Sequence, residues 1–280
     1  MNISKTISEG INILKENEIR NPQLDVEILL SKLIKKDKKY LILNPEEVVS
    51  SEKLDIFKKL IERRKKGEPV AYLINEKAFW KNVFYVDKDV LIPRPDTELL
   101  IEKILKIYSN KSQLQILDIG TGSGCIILSL LKERKKDYGT GIDISKKSIN
   151  VSKINAKLLN LSNRTKFFHS SIDNFNIGKY DLIVSNPPYI ELLNLKYLEK
   201  DVVNFEPKLA LNGGLDGFSK IKTVIFKASS LIKKKGKLIL EIGFNQKDKV
   251  KEMLKKQGFY VNHTFQDHGN NDRCIISTKI

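Results

Sequence analysis

The chain contains the segment Ile116-Leu117-Asp118-Ile119-Gly120-Thr121-Gly122-Ser123-Gly124, and the apolar run Ile126-Ile127-Leu128 begins two residues later. This pattern predicts a buried strand, a tight glycine turn over residues 120–124 and the start of a helix. Glycine lets the backbone of such a turn approach a ligand closely and adopt a positive φ without strain. The spacing is Gly-x-Gly-x-Gly, whereas turns that bind dinucleotides carry Gly-x-Gly-x-x-Gly. The glycine turn therefore predicts a ligand other than a dinucleotide.

A carboxylate ends the next predicted strand, where Gly139-Thr140-Gly141-Ile142-Asp143 follows the glycine turn at a distance of about 20 residues. An acid in this place is suited to accept hydrogen bonds from the two hydroxyl groups of a ribose. The structural alternative is that Asp143 caps the helix that begins near Ser145. Asp118 is expected to be buried and to brace the glycine turn. The glycine turn and Asp143 together predict a nucleoside cofactor.

A third motif, Ser185-Asn186-Pro187-Pro188-Tyr189, directly follows the apolar run Leu182-Ile183-Val184. This Asn-Pro-Pro-Tyr turn (residues 186–189) is suited to hold a planar NH2 group, because the Asn186 side-chain oxygen and the Pro187 carbonyl can both accept from it. Each proline fixes φ and lacks an N–H that would compete for these acceptors. The simpler interpretation is an ordinary turn at the end of a strand, since asparagine and proline both favour turns.

Shorter motifs lie on both sides of these turns, in the order Gly67-Glu68-Pro69-Val70-Ala71-Tyr72, Leu91-Ile92-Pro93-Arg94-Pro95-Asp96-Thr97-Glu98, Glu206-Pro207, Gly213-Gly214, Glu241-Ile242-Gly243 and Asp272-Arg273. With the two turns, this series resembles the HemK/PrmC family of glutamine N5-methyltransferases. The resemblance spans nearly the whole chain and keeps the order of the family's motifs. It implies S-adenosyl-L-methionine as cofactor and, as protein substrate, the Gly-Gly-Gln glutamine of the peptide chain release factors of translation termination.

The resemblance also implies a role for each residue of the two turns. Asn186 and Pro187 are the expected catalytic acceptors for the glutamine amide hydrogens, Tyr189 is an apolar wall along the side chain, and Pro188 completes the substrate site. No general base is required, because the amide proton becomes acidic only after the methyl group has transferred. The expected cofactor-binding residues are Gly120, Thr121, Gly122, Ser123, Gly124, Asp143, Ser171 and Asn186.

Two alignments are open for the position that contacts adenine. The family usually carries an Asp and then an aromatic residue before the strand that leads to the Asn-Pro-Pro-Tyr turn. The corresponding stretch here is Ser170-Ser171-Ile172-Asp173-Asn174-Phe175. An ungapped alignment puts Ser171 at the aromatic position, whereas a shifted one puts Asp173 and Phe175 in the two places. Ser171, Ile172 and Asp173 all stay candidates for the adenine contact.

Strand and helix patterns alternate through the second half of the chain, which favours an α/β fold with a mostly parallel sheet covered by helices on both faces. The predicted strands are 115–119, 139–144, 166–169, 180–185 and 237–242, with a closing antiparallel pair over 259–265 and 273–279. By resemblance, residues 93–280 form a Rossmann-like class I S-adenosylmethionine methyltransferase domain. Residues 75–92 are expected to form a β-hairpin linker around a Lys-Asn turn.

The N-terminal region, residues 1–74, has helical rather than strand periodicity. Ile7, Ile11 and Leu14 fall on one helical face, and Asn21-Pro22 and Asn44-Pro45 look like helix starts. The region is predicted to be a small helical bundle. Its functional interpretation, which the resemblance favours, is recognition of the protein substrate; the alternative is a packing domain.

The net charge of +16 raises the question of nucleic-acid binding. Lysine greatly outnumbers arginine, although arginine is the residue that grips phosphate in a bidentate manner. Abundant Lys, Asn and Ile are what an AT-rich genome produces. We therefore expect mainly solvated lysine faces and no direct need for nucleic acid, with steering towards an RNA-rich or acidic partner as the alternative.

Composition also excludes several classes of protein. The two cysteines and three histidines are scattered, so no metal site is predicted. No apolar run reaches the roughly 18 residues of a membrane span, and the N-terminus lacks the apolar core of a signal peptide. A cytoplasmic protein without membrane association is expected.

Three other functions are compatible with the motifs. The Asn-Pro-Pro-Tyr turn would also suit the exocyclic amine of a base in DNA or RNA, but that substrate calls for a stacking platform and a nucleic-acid-binding module, neither of which is evident. A ribosomal-protein glutamine is a close variant of the release-factor substrate. A non-catalytic RNA-binding protein is disfavoured by the intact Asn-Pro-Pro-Tyr turn.

Overall fold

The computed structural model describes all residues from 1 to 280. The helices are α1 Ile3–Glu16, α2 Pro22–Ile34, α3 Lys38–Leu43, α4 Ser51–Lys65, α5 Val70–Ile74, α6 Glu98–Ile107, α7 Cys125–Glu133, α8 Lys146–Leu158, α9 Lys200–Phe205, α10 Ser219–Leu231 and α11 Lys247–Lys256. The strands are β1 Glu76–Phe79, β2 Asn82–Tyr85, β3 Gln115–Ile119, β4 Tyr138–Asp143, β5 Thr165–His169, β6 Tyr180–Ser185, β7 Ile232–Glu241, β8 Phe259–Gln266 and β9 Asp272–Lys279. None of the helices combines the length and the apolar character needed to cross a membrane.

Two compact units divide the chain, one made of residues 1–76 with 199–205 and the other of residues 77–198 with 206–280. The first unit contains α1–α5 and α9, and we call it the helical unit. Its core includes Leu14, Val26, Leu29 and Leu30, all fully buried, and Ile7 and Ile11 of the predicted apolar face pack against it. The helical unit therefore has a hydrophobic core of its own.

The helical unit recruits α9 from a distant part of the chain. Arg64 of α4 is buried and donates hydrogen bonds to Asp25 Oδ2 at 2.7 Å and to Asp201 Oδ2 at 2.8 Å. Gly67 has a φ of +93°, and a side chain there would meet Asp201 and Phe205 at 3.2 and 3.5 Å. The sequence pattern had not assigned residues 199–205 to this unit.

Only one of the two predicted Asn-Pro helix starts is correct. Asn21 precedes Pro22 at the first position of α2. Asn44, in contrast, is the C-terminal cap of α3, and the next helix begins at Ser51 after the Ser50 side chain accepts from Lys53 N. Helix α3 has only 6 residues, which is fewer than two turns and too short to show apolar periodicity, so the sequence pattern missed it.

The second unit contains a seven-stranded sheet in the order β5-β4-β3-β6-β7-β9-β8. Strands β3 to β7 are parallel, and β9 is antiparallel to both β7 and β8. The predicted parallel sheet with a closing antiparallel pair is confirmed. Strand β7 begins earlier than predicted, at Ile232, and its register shifts opposite Tyr180–Leu182.

Successive residues of β3 point to opposite faces of the sheet and into separate cores. Ile116 belongs to the core with α6 and α7, whereas Leu117 belongs to the core with α10 and α11. Helices on both faces are what a buried, nearly all-apolar parallel strand requires. The β1–β2 hairpin adds Phe79 and Phe84, which pack edge to face on the first of these cores.

Candidate active site

The predicted turns meet where strand order reverses in the parallel sheet. Strand β3 lies between β4 and β6, and Ile119 pairs with Ile142 on one side and Ser185 on the other. The glycine turn, Asp143 and Asn186 therefore emerge side by side at the carboxyl edge of the sheet. Ligands of open α/β sheets bind at this kind of switch point.

Two of the glycines face open space, and the third packs against a helix. Gly120 and Gly122 have φ values of +73° and +56°, and a Cβ added at either would meet nothing within 4 Å. At Gly124, with φ +81°, an added Cβ would lie 2.9 Å from Leu128 Cδ1. Gly120 and Gly122 are thus placed for close approach of a ligand, while Gly124 allows α7 to start against the turn.

Asp143 holds the glycine turn as well as the start of the next helix. Its Oδ2 accepts from Gly122 N at 3.0 Å, and its Oδ1 accepts from Ser145 N at 2.8 Å. The N-cap of α8 is Ser145, whose side chain accepts from Ser148 N at 3.2 Å, so Asp143 does not cap this helix. The ribose role stays compatible with the geometry, because each carboxylate oxygen can accept more than one hydrogen bond. Burial raises the pKa of Asp143 despite these backbone donors.

Asp118 is fully buried beneath the glycine turn. Its Oδ2 accepts from Thr121 Oγ1 at 2.8 Å, whereas Oδ1 is a buried oxygen with no hydrogen-bond partner. Burial raises the pKa of Asp118 to about 7. The side chain therefore braces the turn from inside, as the sequence predicts.

Two residues of α8 hold the glycine turn from the other side, and the sequence analysis missed both. Ser152 Oγ donates to the Gly122 carbonyl at 2.7 Å. Asn155 Nδ2 donates to the Ser123 carbonyl at 2.9 Å, and Asn155 also bonds both backbone groups of Tyr85. The only sequence signal was their polarity at positions where α8 otherwise packs inwards.

The candidates for the adenine contact lie in different surroundings. Ser171 is half-buried and directly precedes the 3-10 turn Ile172–Asn174 that follows β5. Asp173 is exposed, whereas Phe175 is a core residue whose ring centroid lies 5.7 Å from that of Phe168. Phe175 is therefore committed to the core, and Ser171 stays a prediction for the cofactor site.

Three polar atoms of the Asn-Pro-Pro-Tyr turn are held by hydrogen bonds from outside the turn. Asn186 Nδ2 donates to Thr97 Oγ1 at 3.1 Å, and the Tyr189 hydroxyl donates to Glu241 Oε1 at 3.2 Å. The Tyr189 carbonyl accepts from Gln246 Nε2 at 3.0 Å. Thr97 precedes α6 and Glu241 ends β7, and both lie in quoted sequence motifs that had no assigned role, whereas Gln246 directly precedes α11.

Arg94 and Glu98, which lie four residues apart in one sequence motif, do not pair with each other. Arg94 bonds Glu206 at 2.6 Å, and Glu206 also accepts from Ile92 N at 3.2 Å. Glu98 accepts from Trp80 N at 2.8 Å. Glu206 lies far along the chain, so local spacing could not reveal this pair.

The strand order and the site at the carboxyl edge of the sheet define a class I S-adenosylmethionine-dependent methyltransferase. Solved structures share the fold: a methyltransferase from Pyrococcus furiosus matches 70% of this chain and 88% of its own, with a TM-score of 0.52 and 20% identity. The M. jannaschii tRNA m1G37 methyltransferase matches 74% of this chain and 57% of its own, with a TM-score of 0.52 and 16% identity.

Sequence comparison identifies the family. Models described as "PrmC N-terminal domain" and "Methyltransferase small domain" match residues 5–74 and 94–204. The release factor glutamine methyltransferase of Buchnera aphidicola subsp. Acyrthosiphon pisum is 39% identical over 100% of this chain and 99% of its own length. The release factor glutamine methyltransferase of Caulobacter vibrioides is 33% identical over 95% of this chain and 92% of its own length. The chain belongs to the release factor glutamine methyltransferase family. A bifunctional methyltransferase of Rickettsia bellii is 37% identical, and the chain spans 54% of that protein's length.

S-adenosyl-L-methionine is the cofactor, and the residues at the carboxyl edge of β3 and β4 fit it. The open space at Gly120 and Gly122 admits a ligand against the backbone. Asp143 stands beside that space with the carboxylate that a ribose requires. No group of three or more His, Cys, Asp or Glu side chains is placed to hold a metal ion.

Proposed function

We propose that the protein methylates the N5 side-chain nitrogen of the Gly-Gly-Gln glutamine in peptide chain release factors. One observation carries the proposal: the Asn186 amide points its nitrogen at Thr97, which leaves Oδ1 for a donor at the end of β6, beside the glycine turn. A primary amide brings a planar NH2 group, which needs two acceptors. Asn186 Oδ1 and the Pro187 carbonyl are the acceptors that the turn offers.

When bound, S-adenosyl-L-methionine supplies a sulfonium methyl group. The substrate nitrogen is a weak nucleophile, because the lone pair of an amide nitrogen is delocalised into its carbonyl. The residues of this chain have to compensate for that weakness. Asn186 Oδ1 and the Pro187 carbonyl each accept a hydrogen bond from one N–H of the amide. They thereby orient the nitrogen and stabilise the positive charge that develops on it. Holding the nitrogen in one place supplies much of the acceleration.

Tyr189 forms a fixed wall beside these acceptors. Its hydroxyl is engaged by Glu241, and its backbone by Gln246, so the ring has little freedom to move away. The ring excludes water from the side of the turn and leaves the amide hydrogens to Asn186 and Pro187. The surplus proton leaves after transfer, so no side chain has to act as a base.

The helical unit is the proposed recognition surface for the release factor. Ile42, Leu43 and Val48 are exposed on it by 65, 66 and 73%, which is unusual for large apolar side chains grouped along the sequence. The related proteins of Buchnera aphidicola and Caulobacter vibrioides are named for methylating release factors, which supports a release factor as the partner. We place the reaction in the cytoplasm, and the net charge of +16 suits approach to the RNA-rich machinery of translation without direct nucleic-acid binding.

A transfer assay tests the substrate. Purified protein and methyl-labelled S-adenosylmethionine are offered to unmodified release factor, ribosomal protein, ribosomal RNA and DNA in separate reactions. We expect label only in the release factor, and mass mapping should place it on the Gly-Gly-Gln glutamine. A release factor with that glutamine replaced by asparagine is the matched control and should stay unlabelled.

Other outcomes overturn the proposal in different ways. Label on a nucleobase would show that the Asn-Pro-Pro-Tyr turn serves an exocyclic amine. Label on a ribosomal-protein glutamine would keep the amide chemistry and change the partner. Label on the release factor at another residue would leave the partner and remove the proposed target.

A further inference from the structure

The buried polar side chains of Glu241 and Thr97 lie behind the Asn-Pro-Pro-Tyr turn. Neither contacts Asn186 Oδ1 or the Pro187 carbonyl, the two proposed acceptors for the substrate. Glu241 is the last residue of β7 and is 1% exposed; Thr97 ends the 3-10 turn Pro95–Thr97 before α6 and is 2% exposed. They come from distant parts of the chain. Thr97 contacts Asn186 and Glu241 contacts Tyr189, but neither contacts the substrate in the transfer described above.

The direction of the hydrogen bonds between them is fixed by chemistry. A carboxylate can only accept, and a threonine hydroxyl has one proton. Thr97 Oγ1 gives that proton to Glu241 Oε2 at 2.7 Å. Its remaining capacity is as an acceptor, which is how it meets Asn186 Nδ2 at 3.1 Å.

This direction decides which way the Asn186 amide faces. If the amide turned over, Oδ1 would face Thr97 Oγ1, whose only proton is committed to Glu241, and two acceptors would oppose each other. Nδ2 would then face the substrate amide, and two donors would oppose each other there. The hydroxyl and the carboxylate thus favour the one orientation that can hold an NH2 group.

We propose that Thr97 and Glu241 are positioning residues that lock the Asn186 amide with Oδ1 towards the substrate. The inference rests on the proposed function, because it assumes that an amide NH2 is the group held. Thr97 acts on Asn186 directly, and Glu241 acts through Thr97. Neither residue is expected to touch the substrate or the cofactor.

Several ionisable groups lie around the Glu241 carboxylate. The Tyr189 hydroxyl donates to its other oxygen, and Arg273 approaches that hydroxyl at 3.5 Å. Arg273 is itself paired with Asp267 at 3.0 Å and lies 3.6 Å from Asp96. Cys125 and Cys274 complete the ionisable groups facing Glu241, and burial raises both thiol pKa values to about 12, so they stay neutral.

Protonation of Glu241 would favour the opposite orientation of the Asn186 side-chain amide. Burial raises the pKa of Glu241 to about 7, with Arg273 and the two hydroxyl donors opposing the rise. A protonated Glu241 can donate to Thr97 Oγ1, and the hydroxyl proton is then free to turn towards Asn186. That arrangement favours the unproductive face of the amide, so kcat should fall as the pH drops through about 7.

The first test compares Thr97→Val with Thr97→Ser at saturating cofactor and release factor. Valine keeps the shape of threonine and loses the hydroxyl, whereas serine keeps the hydroxyl. We expect kcat of T97V to fall about tenfold, the worth of one ordinary hydrogen bond, with KM for release factor and cofactor affinity within about twofold of the wild type. T97S should restore kcat to within about twofold. Thr223→Val, at an exposed hydroxyl of α10 that bonds only Ser219 O, is the control.

The second test is the pH profile of Glu241→Gln, which can accept from Thr97 but cannot titrate. Wild-type kcat should drop about tenfold from pH 8 to pH 6, as expected for one group of pKa about 7. The variant should keep its pH 8 value at pH 6. This test stands even if T97V does not fold.

Several results would overturn the inference. They are an unchanged kcat in T97V, an equal loss in T97V and T97S, a loss matched by weaker cofactor binding, or an unchanged acid limb in E241Q. The failure of the proposed function is distinct from all of these. In that case the wild-type protein itself leaves the release factor unlabelled, while label on another NH2 substrate still allows the two Thr97 variants to be compared.

Discussion

The glycine turn and the Asn-Pro-Pro-Tyr turn are built on a common plan. Each follows a parallel strand at the carboxyl edge of the sheet, and each is backed by a fully buried carboxylate that accepts from a threonine. In the glycine turn the pair is Asp118 and Thr121, at 2.8 Å. Behind the Asn-Pro-Pro-Tyr turn it is Glu241 and Thr97, at 2.7 Å.

The two pairs differ in how far apart their members lie in the sequence. Asp118 and Thr121 are 3 residues apart, whereas Thr97 and Glu241 are 144 apart. The carboxylate that braces the glycine turn is therefore local to it, whereas the carboxylate behind the Asn-Pro-Pro-Tyr turn is in place only when β7 and the segment before α6 have come together. Substitutions in the first should affect the cofactor, and those in the second the transfer step.

The largest expected effect separates transfer from cofactor binding. Asn186→Ala removes the acceptor that orients the amide, so kcat should fall on the order of 10²- to 10³-fold, as for other preorganised groups that stabilise developing charge. Calorimetric titration with S-adenosylhomocysteine should give a largely unchanged affinity, because the glycine turn and Asp143 supply most of the expected cofactor contacts. Asn176→Ala, at an exposed loop position, is the control. Equal losses of kcat and cofactor affinity would remove the distinction between the two turns.

The converse effect is expected at Gly122. Valine there would carry a β-branched side chain at a φ of +56° and extend into the open space beside the backbone. We expect cofactor affinity to weaken about 100-fold from strain and obstruction together, with a smaller change in kcat at saturation. Gly258→Val shares the positive φ, at +72°, and lies near Lys279. A comparable loss of affinity in that control would contradict the role of the open space.

Asp118→Asn tests whether the carboxylate behind the glycine turn titrates, through the pH dependence of the protein's stability. Burial raises the Asp118 pKa from 3.8 to about 7, so this group's contribution to stability is present below pH 3.8 and is lost as the pH rises through 7. Between pH 5 and pH 8 the wild-type free energy of unfolding should fall roughly 2–3 kcal/mol more than that of D118N. Urea titrations of both proteins at the two pH values measure the difference. Parallel pH dependences would mean that Asp118 does not titrate in this range.

The smallest expected effect concerns the support of the glycine turn by α8. Ser152→Ala removes the hydroxyl that donates to the Gly122 carbonyl at 2.7 Å. Cofactor affinity should weaken about fivefold, which corresponds to roughly 1 kcal/mol for one hydrogen bond. Ser230→Ala, whose hydroxyl bonds Lys227 O in an exposed part of α10, should bind as the wild type does. If both variants bound the cofactor alike, the α8 contact would have no part in shaping the turn.

Features set by nearby residues could be predicted from the sequence. The strands of the parallel sheet, the glycine turn and the bracing role of Asp118 each follow from spacing over a few residues. The resemblance to the HemK/PrmC family added the cofactor and the substrate class, which patterns alone left open. The carboxyl-edge position of Asn186 then followed from the parallel order of β3 and β6.

Features set by distant contacts could not be predicted. The orientation of Asn186 depends on Thr97, and the partner of Arg94 is Glu206, 112 residues away. The Asn44-Pro45 prediction failed because a short helix ends there, and the cap preference of asparagine does not distinguish the two ends of a helix. Phe175 matched an aromatic position by shifting the alignment, yet its ring is needed in the core.

The recruitment of α9 into the helical unit affects any attempt to dissect this protein into modules. A truncation that begins after residue 76 would delete Arg64 and leave residues 199–205 without the core on which they fold. Residues 199–205 lie in the sequence between Tyr189 of the proposed site and Glu206, the partner of Arg94. Without their core they would lose their fold, and the disorder would extend to Glu206. Loss of activity in such a fragment would report a broken loop as much as a missing recognition surface. A clean dissection has to replace residues 199–205 by a short linker in the same molecule.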